Sequence, residues 1–249
     1  MFYFDNFYGK KILKSSLLND CDCFFTTREF PLTKGSLDSI ELECNNNRIF
    51  MQNKLNIKSL KTAKQVHGEN IEIVSDEKDF YDNTDALISN IPNSTLILNF
   101  ADCVPIILYS EKDNTGSIIH AGWRGCAKEI AAKTVEKMKK ELNINPKDII
   151  AIIGPSIGKC CFETDEDVFL QLIKDKTKKD IYAQKGNKYY IDLKMLNKYQ
   201  LLEKDVHNID ISDYCTCCMS DIFFSYRKEN GITARHSAVL KIKGDKKCQ

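Results

Sequence analysis

Two residues of reactive type stand at breaks between apolar segments of one stretch, Thr95–Cys126. Cys103 lies in the polar break Ala101-Asp102-Cys103, after the run Thr95–Phe100 and before a second run, Val104–Tyr109. His120 closes the short run Ser117–His120, which follows a turn rich in Asn, Asp and Gly at Lys112–Gly116 and precedes Gly122-Trp123-Arg124-Gly125. Alone, a cysteine is most often a small core filler, and a strand-end histidine a satisfied structural one. A third residue changes the balance. His67, in Lys64-Gln65-Val66-His67-Gly68, also sits beside a glycine, between a helix-like segment and the β-rich run Ile71–Val74. Two imidazoles and a thiolate are ligands that zinc prefers. Three protein ligands, rather than four, is the stoichiometry of a catalytic zinc that keeps a water in its open position. No two of the three are near enough in sequence to form a local clip, so the fold must bring them together.

The elements that would do so mix strands and helices. Cys23–Thr27, Thr95–Phe100, Ser117–His120, Ile149–Ile153, Phe223–Tyr226 and Ser237–Ile242 read as strands, and Asp85–Ser89 as a short one before a turn at Pro92-Asn93. The loop Glu29–Ser36 carries Pro31 and Gly35 and reads as too polar for the core. Asn47–Leu55 reads as a helix capped by Asn45-Asn46. The clearest helix spans Cys126–Leu142, with Ala127, Ile130, Ala131, Thr134, Val135, Met138 and Leu142 on one face. Glu129–Lys133 and Glu136–Lys140 supply i,i+4 pairs on its wet face. Glu166–Lys174 and Met195–Leu202 read as helices, Lys174–Lys179 as a solvated stretch and Lys243–Gln249 as a polar tail. Without a regular βαβ period, this favours α+β over a doubly wound sheet.

Composition narrows the function. The 249 residues suffice for one large core, and no composition break marks a domain boundary. With 36 basic and 35 acidic residues, nothing argues for a nucleic-acid or membrane-surface role. Asn99 and Asp102 interrupt the longest apolar run, which is too short for a membrane span. The start MFYFDNFYGKK lacks the features of a secretory signal. The 11 cysteines are therefore expected to be reduced thiols in a cytoplasmic protein.

The blocks QVHG (Gln65–Gly68), ADCVP (Ala101–Pro105), HAGWRG (His120–Gly125), GPSIGKCCFE (Gly154–Glu163) and FFSYR (Phe223–Arg227) resemble, in the same order, the laccase-domain family. Its bacterial members were first described as polyphenol oxidases and later as purine nucleoside phosphorylases. The resemblance implies one domain over 1–249, folded as an α/β/β/α sandwich, with a single zinc held by His67, Cys103 and His120. It implies phosphorolysis of adenosine, inosine, guanosine and S-methyl-5'-thioadenosine to base and ribose 1-phosphate (or methylthioribose 1-phosphate), and deamination of adenosine to inosine. The partners would then be purine nucleosides and phosphate, for a monomer or homodimer. Two positions depart from the family pattern: Thr233-Ala234-Arg235 replaces a common Thr-Gly-Arg, and Ser39-Ile40-Glu41-Leu42 a common Ser-Leu-Asn-Leu.

Other residues offer chemistry beside these. Asp102 suits a general acid or base, a group orienting a histidine, or a structural acceptor. Arginine's fork suits phosphate, and among Arg28, Arg48, Arg124 and Arg235, the first and last match family positions near the substrate pocket. Adjacent cysteines such as Cys160-Cys161 rarely bridge without strain. Cys215-Thr216-Cys217-Cys218 spaces two thiols like half a zinc knuckle, but a second CxxC is missing and only His207 lies near, which disfavours that reading.

Competing functions follow from the same residues. Cys103 as nucleophile and His120 as base would make a metal-free cysteine hydrolase, with editing of cell-wall precursors as one role. A copper polyphenol oxidase fares worst, since a multicopper site consumes many imidazoles and the chain has 4 histidines. A zinc-stabilised interaction module would want a fourth ligand to close the site.

Overall fold

A computed structural model of the chain describes residues 1–19, 21–174 and 180–244. Two mixed sheets face each other. The seven-stranded sheet runs in the order Phe2–Phe7, Lys10–Ser15, Cys23–Thr26, His236–Lys241, Ser94–Phe100, Ser59–Ala63, Phe80–Tyr81. The six-stranded sheet runs Asn208–Ile211, Ile149–Ile153, Val104–Ser110, Thr115–Ala121, Ala86–Ser89, Ile71–Ile73. Helix α1 (Glu41–Lys54) covers the outer face of the first. Helices α2 (Trp123–Ala127), α3 (Ile130–Leu142), α4 (Glu166–Leu172) and α5 (Leu193–Leu202) lie on the side of the second.

Strand periodicity builds this α/β/β/α sandwich. In an extended chain successive side chains point to opposite faces. Thus Leu96, Leu98 and Phe100 point between the sheets, meeting Ile107, Tyr109 and Ile118, while Ile97 points out to Met51 and Leu55 on the α1 side. In the six-stranded sheet Val104, Ile106 and Leu108 face the opposite way, onto Ile130, Val135 and Met138 of α3. Each such burial contributes roughly 1.5–3 kcal/mol. Truncation of fully buried Leu98 to alanine is expected to cost about 2–5 kcal/mol, as the sheets cannot collapse onto the void.

Topology gathers the three candidate ligands at one end. Ser59–Ala63 and Ser94–Phe100 are parallel neighbours, so the chain leaves both in the same direction, into the His67 loop and the Cys103 loop. The segment Ala101–Cys103 crosses from one sheet to the other. It enters the strand whose Pro105 pairs with His120.

Several local expectations change in three dimensions. The segment before His67 is the strand Ser59–Ala63, not helix-like, and the Cys126–Leu142 helix is two, broken where Glu129 takes a left-handed φ of 62°. The anticipated i,i+4 pairs give way to contacts between elements: Glu129 with Lys174, Lys133 with Glu69, and Glu136 with Lys204. Helix α1 begins at Glu41, which places Asn45 and Asn46 inside it rather than at its cap. Phe30 and Leu32, in the loop expected to be too polar, are buried against α1. Phe223–Tyr226 is loop, its Phe223 held among Phe4, Tyr214 and His236. The lysine-rich segment past residue 174 and the tail past residue 244 lie outside the described residues. Among the described residues no helix is long and apolar enough to cross a membrane.

Candidate metal centre

His67, Cys103 and His120 converge. One donor atom from each lies within 4.8 Å of the others, and the two imidazole rings meet edge to face with centroids 4.8 Å apart. Two of the supporting backbones are strained. His67 has φ 59° and Asp102 has φ 83°; left-handed non-glycine residues cost about 1–3 kcal/mol each unless the surroundings hold them. Here they are held. Asp85 accepts backbone N–H bonds from His67 at 3.0 Å and Gly68 at 2.7 Å. The Gln65 amide extends the sheet as a surrogate strand, donating to Asn99 O at 2.8 Å and accepting from Asn99 N at 2.9 Å. Gly122 supplies clearance, since a Cβ there would lie 2.9 Å from His67 Cδ2 and 3.2 Å from Cys103 Sγ.

Asp85 is also the hub of the site's charge. Its Oδ1 lies 2.7 Å from His120 Nδ1, and its carbonyl accepts from His120 N at 2.7 Å. That bond leaves His120 Nε2 to face Cys103 and His67, the arrangement in which a carboxylate orients a metal-binding imidazole. Burial alone would raise the Cys103 thiol, but the His120 and His67 imidazoles override it and bring the pKa to about 6. Burial likewise opposes protonation of His120, and the Cys103 thiolate with the Asp85 carboxylate lifts it to about 9. Both shifts point the same way, towards a thiolate beside an imidazolium. The donor set of one soft sulfur and two imidazole nitrogens, already clustered and oriented from behind, fits a borderline cation such as zinc.

The remaining candidates divide. Asp102 and Arg235 line a cavity of about 1030 Å³ that opens over the three donors, at the upper end of the roughly 300–1,000 Å³ common for small-molecule sites. Asp102 is committed to the wall: its Oδ1 accepts from Thr216 Oγ1 at 2.6 Å and its Oδ2 from the Arg227 N–H at 2.7 Å. The Arg235 guanidinium is anchored through Nη1 on the carbonyls of Thr233 and Ala234, both at 2.8 Å. Gly35 at φ 59° permits this, as a Cβ there would lie 2.9 Å from that Nη1. Ala234 is buried without a left-handed backbone, so nothing in its conformation calls for the glycine of the Thr-Gly-Arg pattern. Arg28 is not part of this wall. It pairs with Glu229 at 2.7 Å and stacks over Phe224. Glu41 points to Lys34 at 3.1 Å.

The sequence does not single out Asp85, Gln65 or Arg227 as site residues, and it places Arg124 behind Arg28 and Arg235. Arg124 and Arg227 line the cavity with Trp123, Phe162 and Tyr226. Only membership of the quoted motifs marks Gln65 and Arg227; nothing marks Asp85, which lies just before the short strand Ala86–Ser89. The other two histidines are elsewhere. His236 is buried between Phe100 and Phe223, where desolvation lowers its pKa to about 3, and His207 is exposed beside Asp205.

Comparison with known proteins establishes the kinship of the chain. A family described as multi-copper polyphenol oxidoreductase laccase matches residues 23–243. The chain belongs to that family. Its relatives include purine nucleoside phosphorylase of Bacteroides thetaiotaomicron, 31% identical over 82% of this chain and 85% of that protein. Another is purine nucleoside phosphorylase CA_C1699 of Clostridium acetobutylicum, 30% identical over 91% and 95%. With purine nucleoside phosphorylase YlmD of Bacillus subtilis the identity is 34%, over 64% of this chain and 59% of that protein. Among solved structures, YlmD from Geobacillus stearothermophilus superposes with a TM-score of 0.86 at 28% identity, over 96% of this chain and 98% of that one. The Bacillus licheniformis hypothetical protein YfiH gives the same TM-score of 0.86 and 28% identity, covering 96% and 99%.

Proposed function

We propose that this protein is a zinc-dependent purine nucleoside phosphorylase that also deaminates adenosine. The observation that carries the proposal is the His67–Cys103–His120 set beneath a nucleoside-sized cavity whose wall includes Arg235. The names of the relatives support the substrate class, with adenosine, inosine, guanosine and S-methyl-5'-thioadenosine as the nucleosides to test. A zinc ion held by His67, Cys103 and His120 would supply Lewis acidity, to polarise the purine or to acidify a water.

The chain's own residues do the rest. The apolar faces of Trp123 and Phe162 suit a flat base. Arg235, fixed by two carbonyls, offers its outer guanidinium nitrogens to phosphate. Asp85 holds the His120 ring by Nδ1 and balances its charge. Asp102 acts as a positioning residue, setting the Cys103 backbone through Thr216 and Arg227.

The thiolate–imidazolium pair favours a second reading, a cysteine hydrolase with Cys103 as nucleophile and His120 as acid–base partner. One experiment separates the two. Initial rates on inosine with phosphate, and on adenosine with and without phosphate, are measured before and after metal removal and zinc restoration. Loss on removal and recovery with zinc is the expected result. Full activity without metal would transfer the site to the cysteine hydrolase.

A further inference from the structure

A second group of thiols assembles away from the histidines. Cys160 and Cys161 come from the loop after Ile149–Ile153, and Cys215 and Cys218 from the loop after Asn208–Ile211. These two strands are parallel neighbours, so both loops emerge at the same end. Ser156 and Cys215 form an isolated parallel bridge that holds the loops in register. The four Sγ atoms all lie within 4.8 Å of one another, with Cys160 to Cys218 at 3.6 Å and Cys161 to Cys218 at 3.4 Å.

From these distances we infer that Cys160, Cys161, Cys215 and Cys218 form a tetrathiolate site for a second, structural zinc ion. A tetrahedron with Zn–S bonds of about 2.3 Å has S···S edges of about 3.8 Å. The observed separations are close to that edge and far from the roughly 2.05 Å of a disulfide. Four protein ligands leave no open position, which is the mark of a structural rather than a catalytic ion. Cys215 and Cys218 have the CxxC spacing of a knuckle. The backbone N–H of Gly158 donates to Cys215 Sγ at 3.2 Å, and that of Cys218 also points to it, bonds that suit a metal-bound sulfur. Cys217, inside the CxxC, packs against the apolar core and contacts Cys161 but is not one of the four clustered donors. A closed tetrathiolate carries excess negative charge. Buried Lys194 lies in electrostatic reach of Cys215 and Cys160, its ammonium held by the carbonyls of Ser212 and Tyr214.

The position gives the ion a task. Thr216, inside the CxxC, holds Asp102, and Ile157, three residues before Cys160, donates to the Asp102 carbonyl at 3.0 Å. Arg227 binds the carbonyls of Cys161 and Glu163. The ion would thus tie together the two loops that form one wall of the cavity. Binding releases the thiol protons to solvent and requires no oxidant.

The test is metal counting on protein purified under reducing conditions and loaded with zinc. Wild type is expected to hold two equivalents. A Cys103→Ser/His120→Ala variant, with the thiol cluster untouched, should retain one, and loaded with cobalt(II) should show the intense thiolate charge-transfer bands of a four-sulfur site. Cys160→Ser/Cys218→Ser, altered at two exposed positions, should lose one equivalent while keeping the ion at His67, Cys103 and His120. The inference is overturned if the Cys103→Ser/His120→Ala protein folds, by circular dichroism, but binds no ion with four-sulfur cobalt bands. It is equally overturned if mass spectrometry of anaerobically isolated protein finds a disulfide within the cluster.

Discussion

Asp85 Oδ1 lies 2.7 Å from His120 Nδ1, and the same carboxylate receives the backbone N–H groups of His67 and Gly68. One side chain therefore orients both histidines of the candidate metal centre, one through its ring and the other through its backbone. Asp85→Asn is expected to lower zinc affinity about 10- to 100-fold, the usual effect of removing such a partner. Competition with a chromogenic chelator measures it. Unchanged affinity in a folded variant would reduce Asp85 to a loop anchor.

Gly122 gives a purely steric test. Gly122→Ala would place its Cβ 2.9 Å from His67 Cδ2 and 3.2 Å from Cys103 Sγ. The expected result is reduced metal occupancy and activity with a near-normal melting temperature, because the methyl group displaces ligands rather than core. Metal analysis beside thermal denaturation distinguishes this from simple unfolding.

The two arginines singled out by the sequence should now differ. Arg235→Ala is expected to lower kcat/KM for inosine phosphorolysis about 10- to 100-fold, the equivalent of a charge-assisted contact of roughly 1.5–3 kcal/mol. Adenosine deamination, which needs no phosphate, should change much less. Arg28→Ala breaks the pair with Glu229 and the stack on Phe224, so its effect is expected in stability rather than in phosphate dependence. Equal losses in both reactions for Arg235→Ala would show that this side chain holds the nucleoside or the fold.

Buried His236 predicts acid sensitivity. Its pKa falls from an ordinary 6.5 to about 3 in the folded protein because burial disfavours the charged ring. Below about pH 6.5 the unfolded chain binds this proton and the folded chain does not. Stability is therefore lost as pH falls from about 6.5 towards 3, by on the order of 4 kcal/mol across the window. His236→Phe should unfold in urea with a shallower pH dependence over that range. A wild-type slope retained in the variant would assign the sensitivity to other groups.

The sequence by itself determined the strands flanking the candidate site and singled out His67, Cys103 and His120 as its candidate donors. Thr95–Phe100, Ser117–Ala121 and Ile149–Ile153 are apolar over nearly their whole length, and such runs have few places to go but between packed layers. His67, Cys103 and His120 were legible because each interrupts or ends such a run beside a polar break or a glycine. Local conformation was less legible. At the break, Glu129 pairs with Lys174, 45 residues away and beyond any window of sequence, whereas Glu41 at the start of α1 pairs with Lys34 close by in the chain.

Tertiary structure alone decided which groups meet. Asp85 is 35 residues from His120, and Arg28 is 201 residues from the Glu229 with which it pairs. Cys160 and Cys161 looked chemically idle and Cys215–Cys218 looked like half a motif, until parallel pairing of two strands brought the halves together. Side-chain chemistry is written in the residue; the distance between two side chains is set by the register and direction of the strands that carry them.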